Sequence, residues 1–533
     1  MRILTNARIY TLDPENPIVS TLVIDHGMIT AVGEKTSALA AGSLQTELVD
    51  LGGRTVIPGL TDAHIHLQYY SLGLQKVDCE TNSQIECLER VAARARQTPP
   101  AEWILGHGWN QNNWPEGYGS CAQLDRITTE QPIYLTAKSL HAGWVNTIAL
   151  RLAGITSQTP DPPGGRIQRD EHGIPTGILF EKAMALVENS IPEAKPAIVA
   201  QAIKDAQPLL WQMGLTGAHD FDRQTCFTAL QLLHEAGDLK LRVTKSLPIE
   251  ILPEAVEIGL RSGFGDDFLQ IGSIKAFSDG ALGPRTAAML QPYEGEPDNR
   301  GIAMLDAEEI FERGRQAVEH GLSLAIHAIG DRANHEVLDA YTQLRQVEQG
   351  YLPTTRRRLR HRIEHVQLIH PDDAERLAQQ GIIASMQPIH AVSDYPMADR
   401  YWGKRAAHAY AWRTISDYGT RMAFGSDAPV ESPNPFWGLH AAVTRRRPDG
   451  SPDPDGWYPA QRLTLTEALH GFTSGAAYAA GKENQLGKLA PGYLADLIVL
   501  DTGLFSCEID QIRDIRPTAT MINGEWVYTT LSS

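Results

Sequence analysis

The feature that most constrains this chain is a series of eight short apolar runs, each closing on polar or small residues. They are Val56 to His66 (VIPGLTDAHIH), Gly214 to Phe221, Leu241 to Ile249, Leu269 to Gly280, Leu322 to Asp331, Arg360 to Gln367, Ile382 to His390 and Arg421 to Val430. Strands covered on both faces read as such runs, without apolar–polar alternation. Helix-like stretches, Ala307 to His320 and Pro371 to Gln380 among them, lie between the later runs. Eight strands alternating with helices is the pattern of a closed parallel sheet, an α/β fold of the (β/α)₈ TIM-barrel type.

Two parts of the chain fall outside that pattern. Residues 1–55 and 481–533 read as short strands joined by turns, marked by Gly27, Gly33, Gly492 and Asn523-Gly524. Neither stretch alone has enough apolar surface for a core, so together they predict one small β-sandwich, leaving 56–480 for the barrel. The second is the gap from about residue 68 to 212, rich in Trp, Pro and Gly and far longer than one connection needs. It predicts an inserted subdomain over the barrel mouth.

Composition limits the partners. A net charge of −17 argues against nucleic acid or an anionic membrane, both of which call for clustered Lys and Arg. The basic runs Thr355 to Arg360 and Arg445 to Arg447 are short and read as solvated or salt-bridged faces. No apolar run approaches the ~20 residues that cross a bilayer, and Met1 to Tyr10 alternates like a strand rather than a signal peptide. Five scattered cysteines without a C-x-x-C pair predict reduced thiols and a cytoplasmic protein. A homodimer is the base-rate expectation.

Ligand-type side chains recur at the ends of the runs. His64 and His66, two residues apart on a strand, point to the same side. His327, His365 and Asp427 close the fifth, sixth and eighth runs. Strand ends of a parallel barrel converge on one face, where catalytic sites sit. Three or more imidazoles with carboxylate oxygens suit zinc and similar divalent ions. Lys275 lies within the apolar fourth run, where an amine is costly to bury unless paired or altered. Two readings are open: an ion pair with a nearby carboxylate, or carbamylation by CO₂ into an anionic group able to bridge two cations.

The set His64-x-His66, Lys275, His327, His365 and Asp427 resembles the amidohydrolase superfamily. The terminal stretch Leu486 to Asp496 is similar to that superfamily's return into its small domain. The strings Lys275 to Gly280, His141 to Asn146 and Gly425 to Pro429 resemble the branch containing N-substituted formamide deformylase. The resemblance implies two divalent metal ions, expected to be zinc. His64, His66 and Asp427 would bind one, His327 and His365 the other, with carbamylated Lys275 between them.

The expected chemistry is hydrolysis of a C–N bond in a small-molecule substrate. The nucleophile would be a metal-bridging hydroxide, because coordination lowers the pKa of water. Asp427 would act as general base and then acid. Further candidates for substrate contact are His390 after the seventh run, Asp279 and Arg285 after the fourth, and His107, Trp109 and His141 in the insertion. His390 reads either as an oxyanion or second-layer group or as a hydrogen-bonded loop histidine. Arg285 reads slightly better as structural. The tryptophans Trp109, Trp114 and Trp144 fit either an aromatic subsite or a subdomain core. Competing functions are an esterase or lactonase, a mononuclear deaminase, which needs no bridging carbamate, and a non-catalytic scaffold, which would have lost ligands.

Overall fold

The computed structural model describes residues 1–33, 46–111, 114–138, 141–351 and 358–531. Residues 355–357 of the first basic run therefore lie outside the described residues. The chain divides into two compact units, one of residues 1–70 and 196–533, the other of 71–195.

The larger unit holds an eight-stranded sheet whose neighbours follow chain order. Its strands are Leu60–Ile65, Leu215–Asp220, Arg242–Pro248, Leu269–Phe277, Ser323–Ala328, Arg362–His365, Ile383–Met386 and Met422–Phe424. Every neighbouring pair is parallel. The ring closes through a parallel bridge between Ile65 and Ala428, with Asp427 N–H donating to His64 O at 2.7 Å and His66 N–H to Ala428 O at 2.9 Å. This is the (β/α)₈ barrel, and its closing seam is built from the ends that carry His64, His66 and Asp427.

The covering helices start and stop where local chemistry dictates. Ala307–Glu319 opens on a capping box, Asp306 accepting from Glu309 N–H while Glu309 reaches back to Asp306 N–H. Pro371–Gln380 begins with proline in its first turn and ends at Gly381, whose φ of +60° is the left-handed cap glycine adopts without strain.

The run Val56 to His66 is two strands rather than one. Thr55–Pro58 joins a six-stranded sheet beside Leu497–Leu500 and Arg8–Tyr10, and the barrel strand starts only at Leu60. Gly59 makes the switch between sheets, where a Cβ would sit 2.4 Å from Thr216 Oγ1. That sheet and a four-stranded one (Met28–Val32, Leu22–Asp25, Arg2–Thr5, Glu47–Asp50) draw on both ends of the chain. Leu4, Ile24, Val56, Leu497, Val499 and Met521 share one core.

The helix Pro196–Gln212 belongs to the larger unit, so the insertion is shorter than the 68–212 span. It binds its neighbours there through Thr520 Oγ1 donating to Trp211 O at 2.7 Å and Gln207 Nε2 to Asp238 O at 3.0 Å. The unit 71–195 has a six-stranded sheet of its own and a core containing Trp109, Trp114 and Trp144. Each indole N–H is satisfied internally, by Leu135 O, Thr81 O and Ser120 O respectively. Trp109 is fully buried, so the tryptophan cluster packs that unit.

In the second basic run Arg446 pairs with Asp510 at 2.7 Å, as expected, but its neighbour departs from expectation. Arg445 is fully buried, donating to Trp457 O at 2.5 Å and Tyr410 O at 2.9 Å, with its guanidinium 4.6 Å from the Trp412 ring centroid. Carbonyls and an aromatic face replace the water a cation normally keeps. No described helix is long and apolar enough to cross a membrane.

Candidate metal centre

The six expected ligands line one cavity of about 330 Å³ in the larger unit, together with His390 and Gln367. Asp427 Oδ1 lies 3.6 Å from His64 Nε2 and 3.4 Å from His66 Nε2. The His365 ring centroid is 4.9 Å from that of His64 and 4.6 Å from that of His327. Ligand atoms of His365, His390 and Asp427 fall within 4.8 Å of one another.

Each imidazole has one nitrogen committed to a protein acceptor. His64 Nδ1 meets Glu364 Oε2 at 2.6 Å, His66 Nδ1 meets Asp222 Oδ1 at 2.9 Å, and His365 Nδ1 meets Gln387 Oε1 at 2.8 Å. His327 is turned the other way, its Nε2 on Gly280 O at 2.9 Å. These acceptors place a proton on the outer nitrogen and leave the other lone pair for a cation. His327 would ligate through Nδ1, the other three through Nε2.

The electrostatics favour the same state. Burial, and next the Lys275 amine, hold His64 down to about 4 and His327 to about 3, so both are neutral near pH 7. His365 lies well below its ordinary value through burial and His327. Neutral imidazole is the form that binds metal. His66 is the exception: burial opposes its charge, but Asp222 and Asp427 outweigh it and raise it to about 9. Asp427 itself is ionised well below the usual range, burial being overcome by His66, His64 and other imidazoles.

Lys275 is 5% exposed and, among the described residues, has no hydrogen bond or carboxylate within 4.0 Å. Its Nζ sits 4.8 Å from the Phe221 ring centroid and 4.9 Å from that of Phe277. Burial lowers it to about 8, against the attraction of Glu364 and Asp427. The ion-pair reading is therefore not what the structure contains.

The backbone is bent to deliver these groups. His365, Val366 and Asp427 have φ of +78°, +44° and +60°, a region costly for non-glycine residues and rarest for a β-branched one. Gly425 is required beside them, since a Cβ there would lie 2.4 Å from His64 N. Asp62, buried, accepts from His64 N–H and Ser426 N–H at 3.0 Å each and ties the first strand to the eighth.

The remaining candidates have other surroundings. Asp279 accepts from Ala288, Ile329 and Gly330 N–H at 2.8 to 3.0 Å and fixes the loop after the fourth strand. Arg285 pairs with Glu296 and lies over the Tyr401 ring at 5.3 Å. Neither lines the cavity. In the unit 71–195, His107 Nδ1 meets Thr136 Oγ1 at 2.9 Å and His141 Nδ1 meets Glu181 at 2.9 Å.

Sequence reasoning missed Glu364, Asp222, Gln387 and Gln367. Arg362 and Glu364 carried a signal, two charges at alternate positions of a buried strand. Both are wholly buried, and Arg362 Nε donates to Glu364 Oε1 at 2.5 Å.

A family model described as "Amidohydrolase family" matches residues 47–528. The chain is 32% identical to the putative amidohydrolase YtcJ of Bacillus subtilis, over 98% of each chain. It is 29% identical to N-substituted formamide deformylase of Arthrobacter pascens, over 97% of this chain and 96% of that one. An uncharacterized metal-dependent hydrolase from Pyrococcus furiosus superposes with a TM-score of 0.78 at 30% identity, covering 94% of this chain and 99% of the other. With this coverage, the chain belongs to the amidohydrolase family of metal-dependent hydrolases.

Proposed function

We propose that the protein hydrolyses a C–N bond of amide or formamide type in a small molecule, using two divalent ions, zinc being the best match to the donors. His64, His66 and Asp427 would hold one ion and His327 and His365 the other, with carbamylated Lys275 between. Bound metal supplies an activated water at neutral pH and Lewis-acid polarisation of the carbonyl.

The observation that carries this reading is the Lys275 amine, buried in a cavity lined by imidazoles with no carboxylate within 4.0 Å among the described residues. Held down to about 8, it has an accessible neutral form whose lone pair can attack CO₂. An N–C bond forms, a proton leaves, and the product is an anion suited to the gap between two cations. A mononuclear deaminase gives this lysine no task, and a scaffold gives the intact ligand set none.

The chain's own residues supply the rest. Asp427, ionised and facing the cavity, would take the proton from the attacking water and deliver it to the leaving nitrogen. Glu364, Asp222 and Gln387 would hold three imidazoles in the ligating tautomer. The likeness to N-substituted formamide deformylase supports an amide over an ester. Five free thiols support a cytoplasmic setting. Screening N-acyl and N-formyl amines, dipeptides and lactones with zinc-loaded protein tests the reading. Turnover confined to lactones would replace it with the esterase alternative.

A further inference from the structure

The cavity has a floor of candidate ligands and a distinct upper lining. Phe277, Leu282, Ile329 and Val430 form apolar walls. Two carboxylates, Asp394 and Glu431, also line it, and Lys275 at the floor is the one Lys or Arg among its lining residues. Asp394 Oδ2 accepts from the Tyr410 hydroxyl at 2.6 Å, whereas Glu431 has no cationic side chain within 4.0 Å among the described residues. A substrate carboxylate would meet like charge here and find no guanidinium among the lining residues to receive it.

Two further polar groups face the same space without being satisfied. His390 and Gln367 are 6% and 4% exposed and both line the cavity. Gln367 Nε2 donates to His390 Nδ1 at 3.5 Å, which leaves the ring proton on His390 Nε2. That nitrogen has no partner, and neither does Gln367 Oε1. Buried donors without acceptors are rare in folded proteins and ask for a ligand. The ring stacks parallel to His365, centroids 6.4 Å apart, beside the metal ligands.

We infer that the substrate is the N-acyl derivative of an apolar amine lacking a carboxylate. This rests on the proposed amide hydrolysis and deepens it. His390 Nε2–H donates to the carbonyl oxygen, with Gln367 as the positioning residue that sets its tautomer. The amine portion lies along the apolar walls, with Glu431 rejecting anions and tolerating cations. Water cleaves the C–N bond, the acyl carbon gains oxygen, and the amine leaves with the proton.

The test is a matched pair differing by one carboxylate: N-formyl-2-phenylethylamine and N-formylphenylalanine, offered to the zinc-loaded enzyme. The expected kcat/KM ratio favours the first by at least about 10²-fold, and Glu431→Gln shrinks it about tenfold. His390→Gln lowers kcat for both about 10²-fold, at unchanged metal content and an unchanged ratio. In the metal-free protein, 2-phenylethylamine should raise the thermal midpoint and 3-phenylpropionate should not. A ratio near one or inverted, with turnover intact, overturns the substrate class and leaves the amide hydrolase standing. Loss of metal in His390→Gln overturns its role as a donor. Hydrolysis of neither compound, with lactones cleaved instead, overturns both readings.

Discussion

Two buried lysines on adjacent barrel strands are treated in opposite ways. Lys245, on Arg242–Pro248, is 0% exposed and pairs with Asp220 at 2.7 Å while donating to Asp222 O. Lys275, on Leu269–Phe277, is nearly as buried and faces a cavity of imidazoles with two phenyl rings for company. The chain compensates the first charge with a carboxylate and leaves the second uncompensated. Burying a lone ammonium is costly, which is why the proposed function gives the second lysine a reaction with CO₂ and the first a structural role.

The largest effect that sharpens the contrast concerns the carboxylate at the cavity floor. Asp427→Asn keeps most of the side chain's shape and removes the proton acceptor, so kcat should fall about 10²–10⁴-fold with metal largely retained. Near-normal turnover at full metal content would remove Asp427 from the chemistry.

Stability separates the two lysines directly. Lys245→Met strands the buried Asp220 carboxylate and should cost about 3–5 kcal/mol in urea unfolding of the metal-free protein. Lys275→Met removes a charge that had no partner, so the same measurement should show no loss or a gain. Equal destabilisation of both would mean that Lys275 is paired after all.

Asp222 joins the two regions, since its carboxylate orients His66 and its carbonyl receives Lys245. Asp222→Asn should cost about 10–100-fold in metal affinity or activity, read by zinc titration. An unchanged affinity would show that His66 is held by other means.

The smallest effect is in pH. The Lys275 amine is lowered to about 8, so neutral amine is the minority form at pH 6 to 7 and dominates above 8. Reconstitution of metal-free protein with zinc, at a dissolved CO₂ concentration held constant across the pH series, should therefore accelerate about tenfold per pH unit up to 8 and level off beyond. A rate independent of pH across that window would argue against attack by the amine.

Much of this was legible in the amino-acid sequence, for a physical reason. The candidate metal ligands sit at strand ends, and strand ends show as the close of apolar runs, so His64, His66, His327, His365 and Asp427 could be read off in phase with the barrel. Lys275 stood out because ammonium does not belong in an apolar strand. What supports these ligands was hidden, because Glu364, Asp222 and Gln387 meet them across strands, and spacing along a chain carries no record of such pairs. The junction at Gly59 was hidden too: Thr55–Pro58 and Leu60–Ile65 form one apolar run in sequence, and only their pairing with different sheets separates them. Trp109 was ambiguous for a different reason, since a tryptophan cluster looks the same in sequence whether it packs a core or faces a substrate.

The most direct test is the metal content of natively purified protein, measured by elemental analysis beside Lys275→Ala. About two divalent ions per wild-type chain, falling to one or fewer in the variant, is the predicted result. No metal in the wild type, or two ions retained without Lys275, would contradict a centre bridged by that lysine.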